Sequence, residues 1–262
     1  MNIFVINLEN SVERRNFQQE QLFALKLDFE FLDAISTTDV STTIHKQYCQ
    51  DWQRPLKATE VACYFSHRCA WNKVIQSNQP ALILEDDALL SKCVPELLAN
   101  LSDKKSIDLV NLENRSRKKF ISKSNVLLEC NSKLLRLYQD RTGAAGYILY
   151  PNGAKKLIQC EKRKGIALAD AHITACNSIK AYQVEPAPII QLDQCNYYGL
   201  NNIYPEKIFT STIDNCNNLQ GNLYFRIKRV YFQIKLGLRQ LLLITKSERR
   251  YVKLKKEDFL QK

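Results

Sequence analysis

No Cys-x-x-Cys pair and no zinc-type cysteine spacing occurs, although nine cysteines stand at positions 49, 63, 69, 93, 130, 160, 176, 195 and 216. The pattern excludes a disulfide framework and reads as buried or free thiols in a reducing compartment. Nor is there a window of about 18 uncharged apolar residues, so nothing should span a membrane. No basic residue precedes Ile3-Phe4-Val5-Ile6-Asn7-Leu8. That run is too short for a signal peptide and reads as a first strand. A glycine-rich phosphate turn is absent as well, which excludes a dinucleotide-binding fold of the usual kind.

What is present is 262 residues with 45% hydrophobic content, enough for one large core or a main domain with an appendage. The net charge of +11 is concentrated at the C-terminal end. Residues 222–262 carry 12 Lys and Arg against 3 Asp and Glu, and the other residues 26 against 24. The body is nearly neutral and the tail is basic.

The stretch Ala81-Leu82-Ile83-Leu84-Glu85-Asp86-Asp87 organises the rest. Its apolar half reads as a strand buried on both faces, and three carboxylates stand at the carboxyl end, where open α/β sheets bind ligands. Such carboxylates repel unless a cation sits among them, and a divalent cation bearing a phosphorylated ligand fits that need. The alternative is a solvated acidic turn.

Before this stretch, Ile3 to Asn7 predicts a central strand. Ser11 then starts a helix with Val12, Phe17, Leu22 and Leu25 on one face, and Phe29 to Leu32 forms a second strand ending at Asp33. Arg14 and Arg15, on the first turns, are either solvated charges or a diphosphate contact. Residues 36–57 read as a surface loop, and Thr59 to Gln76 as a helix whose His67 is a packed residue rather than a catalyst.

After the acidic triplet come a helix over Val94 to Leu101 and a strand over Ile107 to Leu112. Residues 114–125 read as an exposed basic loop, followed by a hairpin of Val126 to Cys130 with Leu134 to Tyr138. Thr142-Gly143-Ala144-Ala145-Gly146 allows close backbone approach to a sugar-sized ligand, or simply a tight strand start. A strand over Tyr147 to Tyr150, a helix from Pro151 through Cys160 and another beginning near Ala167 follow. Asp170 near that last start is a helix cap, a general base or both. Ala181 to Glu185 is a late strand, and residues 191–220 show no periodicity.

Four of these features in order (Asn7-Leu8 with Arg14-Arg15; Glu60-Val61-Ala62-Cys63 with Ser66-His67; Glu85-Asp86-Asp87; Gly143-Ala144-Ala145-Gly146-Tyr147) resemble glycosyltransferase family 25 from about residue 2 to 191. That family includes lipooligosaccharide galactosyl- and glucosyltransferases of Gram-negative bacteria. The resemblance implies a GT-A type α/β fold, with a mostly parallel central sheet and helices on both faces. It implies a nucleotide-sugar half over about 1–112 and an acceptor half over about 113–220. It also implies a D-x-D-like element, here Glu85-Asp86-Asp87, holding a divalent metal, usually Mn2+, against the diphosphate of a UDP-sugar. Asp87 is then the firmest ligand, with Glu85 or Asp86 beside it. Asn7, Arg14 and Asp33 would lie around uridine and diphosphate, and Gly143 and Ala144 beside the sugar. Inverting transfer of galactose or glucose to lipooligosaccharide needs a base, with Asp170 the first choice. His172 is its rival, or a further metal ligand.

Residues 221–262 predict a basic amphipathic tail. Leu223, Ile227, Val230, Ile234, Leu238 and Leu241 share one stripe beside Lys228, Lys235, Arg239 and Lys246, while Phe225, Phe232, Leu236 and Leu243 lie opposite. The first face suits an anionic membrane surface and the second a packed helix. A cytoplasmic enzyme held at the inner face of the inner membrane is the expectation. A metal-dependent nucleotidyltransferase and a non-enzymatic basic protein binding membrane or nucleic acid are the rivals.

Overall fold

Along the strand Asn2–Asn7, Ile3 and Val5 pack into one buried cluster while Phe4 and Ile6 pack into another. Successive side chains of a strand point to opposite faces, so a strand apolar at every position requires cover on both sides. The computed structural model describes residues 1–128, 131–139, 143–200 and 223–259.

The first half contains β1 (Asn2–Asn7), α1 (Val12–Ala24), β2 (Glu30–Asp33), α2 (Thr42–Tyr48), α3 (Ala58–Ser77), β3 (Ala81–Glu85), β4 (Ala88–Leu90) and α4 (Val94–Leu101). There follow β5 (Leu109–Asn111), β6 (Lys118–Leu127), β7 (Lys133–Gln139), β8 (Gly146–Leu149), α5 (Pro151–Lys164) and α6 (Ala169–Ala175). The chain closes with β9 (Ala181–Glu185), β10 (Ile189–Gln191), α7 (Cys195–Tyr198), α8 (Leu223–Leu243) and β11 (Ser247–Tyr251).

Nine strands form one sheet in the order β11-β6-β7-β9-β5-β8-β3-β1-β2. One face is covered by residues of α3, α5 and α6, including Trp71, Leu157 and Ile173. The other carries α4 and part of α1, through Val94, Leu97, Leu101 and Leu22. Helices on both faces are as expected. A mostly parallel sheet is not what forms. Only β1–β2, β1–β3 and β5–β9 run parallel, and β8 enters antiparallel between β3 and β5. An apolar run records burial but not strand direction.

Three local readings are corrected. Residues 36–57 contain α2, whose start is capped by the Ser41 hydroxyl accepting from the Ile44 N–H. Residues 114–125 are not an exposed loop, for β6 begins at Lys118 and buries Lys119, Phe120 and Ile121. Lys119 is tolerated inside because its Nζ donates to the Glu113 carbonyl at 2.8 Å and to Gln183 Oε1 at 2.7 Å. Gln191 ends β10, which pairs with β4 and brings Gln191 opposite Ala88.

The basic tail divides. Helix α8 keeps Leu223, Ile227, Val230, Ile234, Leu238 and Leu241 exposed, while Phe225 is buried and Phe232 meets the Trp52 ring at 5.6 Å. Lys228 Nζ and Arg239 donate to the Asp51 and Tyr138 carbonyls. Beyond the helix, β11 pairs with β6 as the edge strand of the main sheet. The expectations for Cys130, Thr142 and residues 201–220 lie outside the described residues.

Candidate functional site

Ala81, Leu82, Ile83 and Leu84 are completely buried, which fixes the backbone of β3 and carries Glu85 to its carboxyl end. A turn at Asp86-Asp87 leads into β4. That turn is held from two sides. On one, α1 donates Gln18 Nε2 to the Asp86 and Ala88 carbonyls at 3.1 and 2.8 Å. On the other, the Leu192 N–H donates to the Asp87 carbonyl at 2.9 Å.

The three carboxylates then take different partners. Asp86 accepts from Asn7 Nδ2 at 3.0 Å and from Arg14 at 2.8 Å. Its pKa is raised by burial, against the pull of Arg14 and Asn7. Glu85 accepts from Gln191 Nε2 at 3.1 Å on one oxygen and faces His67 Nε2 at 3.1 Å on the other. Burial works against its charge, but His67, Arg115 and Arg14 outweigh burial and its pKa falls below the usual range. Asp87 has weaker company, with Gln191 Nε2 at 3.5 Å and Arg14 at 3.9 Å. Burial and the neighbouring Glu85 charge push it up to about 7.

A fourth carboxylate, Glu113, follows the end of β5 and is fully buried. Its Oε2 accepts from the Ala145 N–H at 2.9 Å, and Oε1 has no hydrogen-bond partner among the described residues. Burial and the Glu85 charge raise it to about 8. Gly143 lies against it with φ +86°, and a Cβ there would sit 2.3 Å from both carboxylate oxygens. Glycine is therefore required both by the backbone and by the close approach.

Of the residues anticipated from the sequence, Asn7, Arg14, Glu85, Asp86 and Asp87 are brought together. Asp33 lies opposite Asn7 in the strand register, exposed at the end of β2. Asp170 accepts from the Ala171 N–H at 2.7 Å and lies 3.5 Å from the Gly143 N, with Ala144 buried beside it in sequence. Its charge, with those of Glu85 and Asp87, also bears on the Cys63 thiol, which burial and these carboxylates hold well above its ordinary pKa.

His172 is elsewhere. It is buried with its ring stacked on Trp71 at 5.6 Å, its Nε2 lies 3.1 Å from the Leu157 carbonyl, and burial lowers its pKa. Burial favours the neutral ring against the pull of the Leu157 carbonyl, and among the described residues no hydrogen bond joins His172 to Glu85, Asp86 or Asp87, so the role of base or metal ligand expected of it finds no support in this geometry.

Glu113, Arg115, Gln191 and Asp193 are the residues that sequence reasoning missed. Arg115 pairs with Asp193 at 3.1 Å and contributes positive charge to Glu85, Glu113 and Asp87. The rule that singled out Glu85, an acid at the carboxyl end of a buried strand, applies equally to Glu113 after Leu109–Asn111. Gln191 carried no such signal. Glu85 and Asp87 converge on its single Nε2, an all-oxygen donor set of the kind a hard divalent cation takes.

A family model described as glycosyltransferase family 25 (LPS biosynthesis protein) matches residues 1–173. A putative glycosyltransferase of Haemophilus influenzae is 29% identical over 171 residues, 63% of this chain and 60% of that protein's length. Lipooligosaccharide biosynthesis protein lic2B, also of Haemophilus influenzae, is 25% identical over 78% of both chains. The lacto-N-neotetraose biosynthesis glycosyltransferase LgtE of Neisseria meningitidis serogroup B is 28% identical over 55% of both.

Proposed function

This chain belongs to glycosyltransferase family 25, and from that premise we propose that it transfers a hexose, galactose or glucose, from a UDP-sugar to a lipooligosaccharide acceptor with inversion. The observation that carries the reading is the convergence of Glu85 and Asp87 on Gln191, with Asp87 raised to about 7 by burial and the neighbouring Glu85 charge. Glu85 and Asp87 would hold a divalent metal such as Mn2+. When bound, it supplies positive charge to the diphosphate of the departing UDP.

The chain's own residues do the rest. Arg14 and Asn7 fix Asp86 and thereby the turn that aims Glu85 and Asp87. Asp33, exposed at the neighbouring strand end opposite Asn7, would face the uridine. Gly143 and Ala144 would lie beside the sugar, and Asp170 near them would take the proton of the acceptor hydroxyl as its oxygen attacks C1 and the C1–O bond to UDP breaks. Helix α8 keeps the enzyme at an anionic membrane surface through its exposed apolar stripe, flanked by exposed Arg226, Arg229, Lys235 and Lys246. Among the described residues no helix is long and apolar enough to cross a membrane.

The test is product formation from UDP-galactose and UDP-glucose with a lipooligosaccharide acceptor. Asp170→Asn should lose about two to four orders of magnitude in turnover while still binding UDP, the usual worth of a positioned base. Asp87→Asn should lose metal-dependent UDP-sugar affinity. Near-normal turnover in both variants refutes the proposal, and release of pyrophosphate from a nucleoside triphosphate instead of UDP would move the chain to nucleotidyl transfer.

A further inference from the structure

Cys63 and His67 are one turn apart on α3, so their side chains lie on the same face of the helix. That face meets the end of β3. Cys63 Sγ, a ring nitrogen of His67 and a carboxylate oxygen of Glu85 all lie within 4.8 Å of one another. Thiolate, imidazole and carboxylate are the ligand set of zinc, and three of them within this radius leave a fourth tetrahedral position open.

The surroundings fit a ligand more closely than a chance meeting of side chains. A metal-bound histidine needs its other ring nitrogen held, and His67 Nδ1 lies 3.0 Å from the Tyr147 hydroxyl. That hydroxyl is itself fixed, since it accepts from Trp71 Nε1–H at 2.8 Å. Binding a cation would place the proton on Nδ1, donating to the same oxygen, and free the Nε2 lone pair for the metal in place of its contact with Glu85 Oε1. His67 is almost completely buried, while Cys63 and Glu85 are partly open to solvent, which provides access.

We propose that Cys63, His67 and Glu85 form a binding site for a soft divalent cation of the zinc class, separate from the hard-metal pair of Glu85 with Asp87. Binding exchanges the Cys63 S–H bond for a sulfur–metal bond and releases the proton to solvent. Thiolate and carboxylate together neutralise the dication. Glu85 takes part through Oε1, and Oε2 remains with Gln191, so the cation pins α3 to the end of β3 and fixes the carboxylate that the donor site uses. The donor reading is not required for this proposal, because the site is defined by metal binding without any sugar nucleotide.

The experiment uses the full chain, stripped with a chelator and titrated with Co2+ and then Zn2+. A thiolate-to-cobalt charge-transfer absorption should appear, saturate at one equivalent per chain and be displaced by zinc. It should vanish in Cys63→Ser and persist in Cys69→Ser, a control at an exposed cysteine on the same helix. Tyr147→Phe, which removes the partner of Nδ1 and leaves all three ligands, should weaken zinc binding by about 10- to 100-fold. Absence of the absorption in the unmutated chain overturns the proposal without any variant. Its persistence in Cys63→Ser would assign the cation to another thiol and overturn it equally. Loss of sugar transfer with metal binding intact would fault the donor reading alone.

Discussion

Replacing Glu113 by glutamine should stabilise the protein at neutral pH, although it removes a buried side chain's native chemistry. Glu113 is fully buried, accepts one backbone N–H and has its pKa raised to about 8 by burial and the Glu85 charge. In the unfolded chain a glutamate loses its proton near pH 4.3, as an order-of-magnitude reference. Between those two values the folded state holds a proton that the unfolded state has released, so stability falls as pH rises. Each unit costs about 1.4 kcal/mol, and from pH 5.5 to 7.5 the wild-type chain should lose about 2 to 3 kcal/mol that the glutamine variant keeps.

Urea denaturation of both proteins, without added metal, at half-unit steps from pH 5 to 8 reads this directly. Asp87, also raised, slopes the same way, and His172, lowered, slopes the other way below its ordinary range. Both are present in the two proteins, so the difference between them isolates Glu113. The variant should be the more stable at pH 7.5, and the gap should close toward pH 5. A gap independent of pH, or a variant less stable at pH 7.5, refutes the reasoning.

Three further outcomes follow from the contacts. Tyr147→Phe strands Trp71 Nε1–H and His67 Nδ1, two buried groups, and should cost about 2 to 4 kcal/mol in denaturant unfolding; a loss under about 0.5 kcal/mol would mean that both groups find other partners. Arg250→Ala leaves the buried Glu185 carboxylate with only the Lys253 N–H at 2.8 Å, and should cost about 1 to 3 kcal/mol at pH 7 after allowance for the partly exposed arginine. Burial opposes the charge of Glu185, but Arg250 and Lys253 overcome it and lower its pKa, so this stabilisation is present above the usual glutamate range and should fade as pH falls through the folded value. Ile227→Ser with Ile234→Ser should release the full chain from sedimenting anionic vesicles, each exposed basic residue retained contributing only about 1 kcal/mol; unchanged sedimentation would remove α8 from the membrane reading.

The elements legible in the sequence are those whose pattern is local. Helix α4 appears over Val94–Leu101 as its spacing predicts, and β3 is read from four consecutive apolar residues ahead of the acids. The two faces of α8 separate only in part, with Phe225 inside and Ile227 outside but Leu236, expected on the inner face, exposed. What was not legible depends on residues far apart in the chain. Gln191 reaches Glu85 across 106 positions only because β10 pairs with β4, and nothing near Gln191 announces that pairing. Lys118-Lys119 disguised β6, because a buried lysine is permitted only by Gln183 and the Glu113 carbonyl, which local composition does not reveal.

Four carboxyl groups stand at the ends of the interior strands β3 and β5, and two of them, Asp87 and Glu113, have partners too weak for a structural role. Buried acids elsewhere in the chain show what a structural role looks like. Asp108 accepts from Asn152, Lys156 Nζ and the Lys180 N–H, each at 2.7 Å. Glu60 has a forked contact with Arg54 and the Lys57 N–H, and Glu185 has Arg250 and the Lys253 N–H. Each combines a cation with a backbone donor. Asp87 has an arginine only at 3.9 Å, and Glu113 has one backbone donor and an unpartnered oxygen among the described residues. Neutral isosteres at these positions would fold more stably at neutral pH, so stability alone does not call for acids here. A ligand that brings positive charge to these strand ends would account for them. In the proposed function, a cation on Glu85 and Asp87 would meet that requirement and lower the energy of carboxylates that the fold holds at a cost.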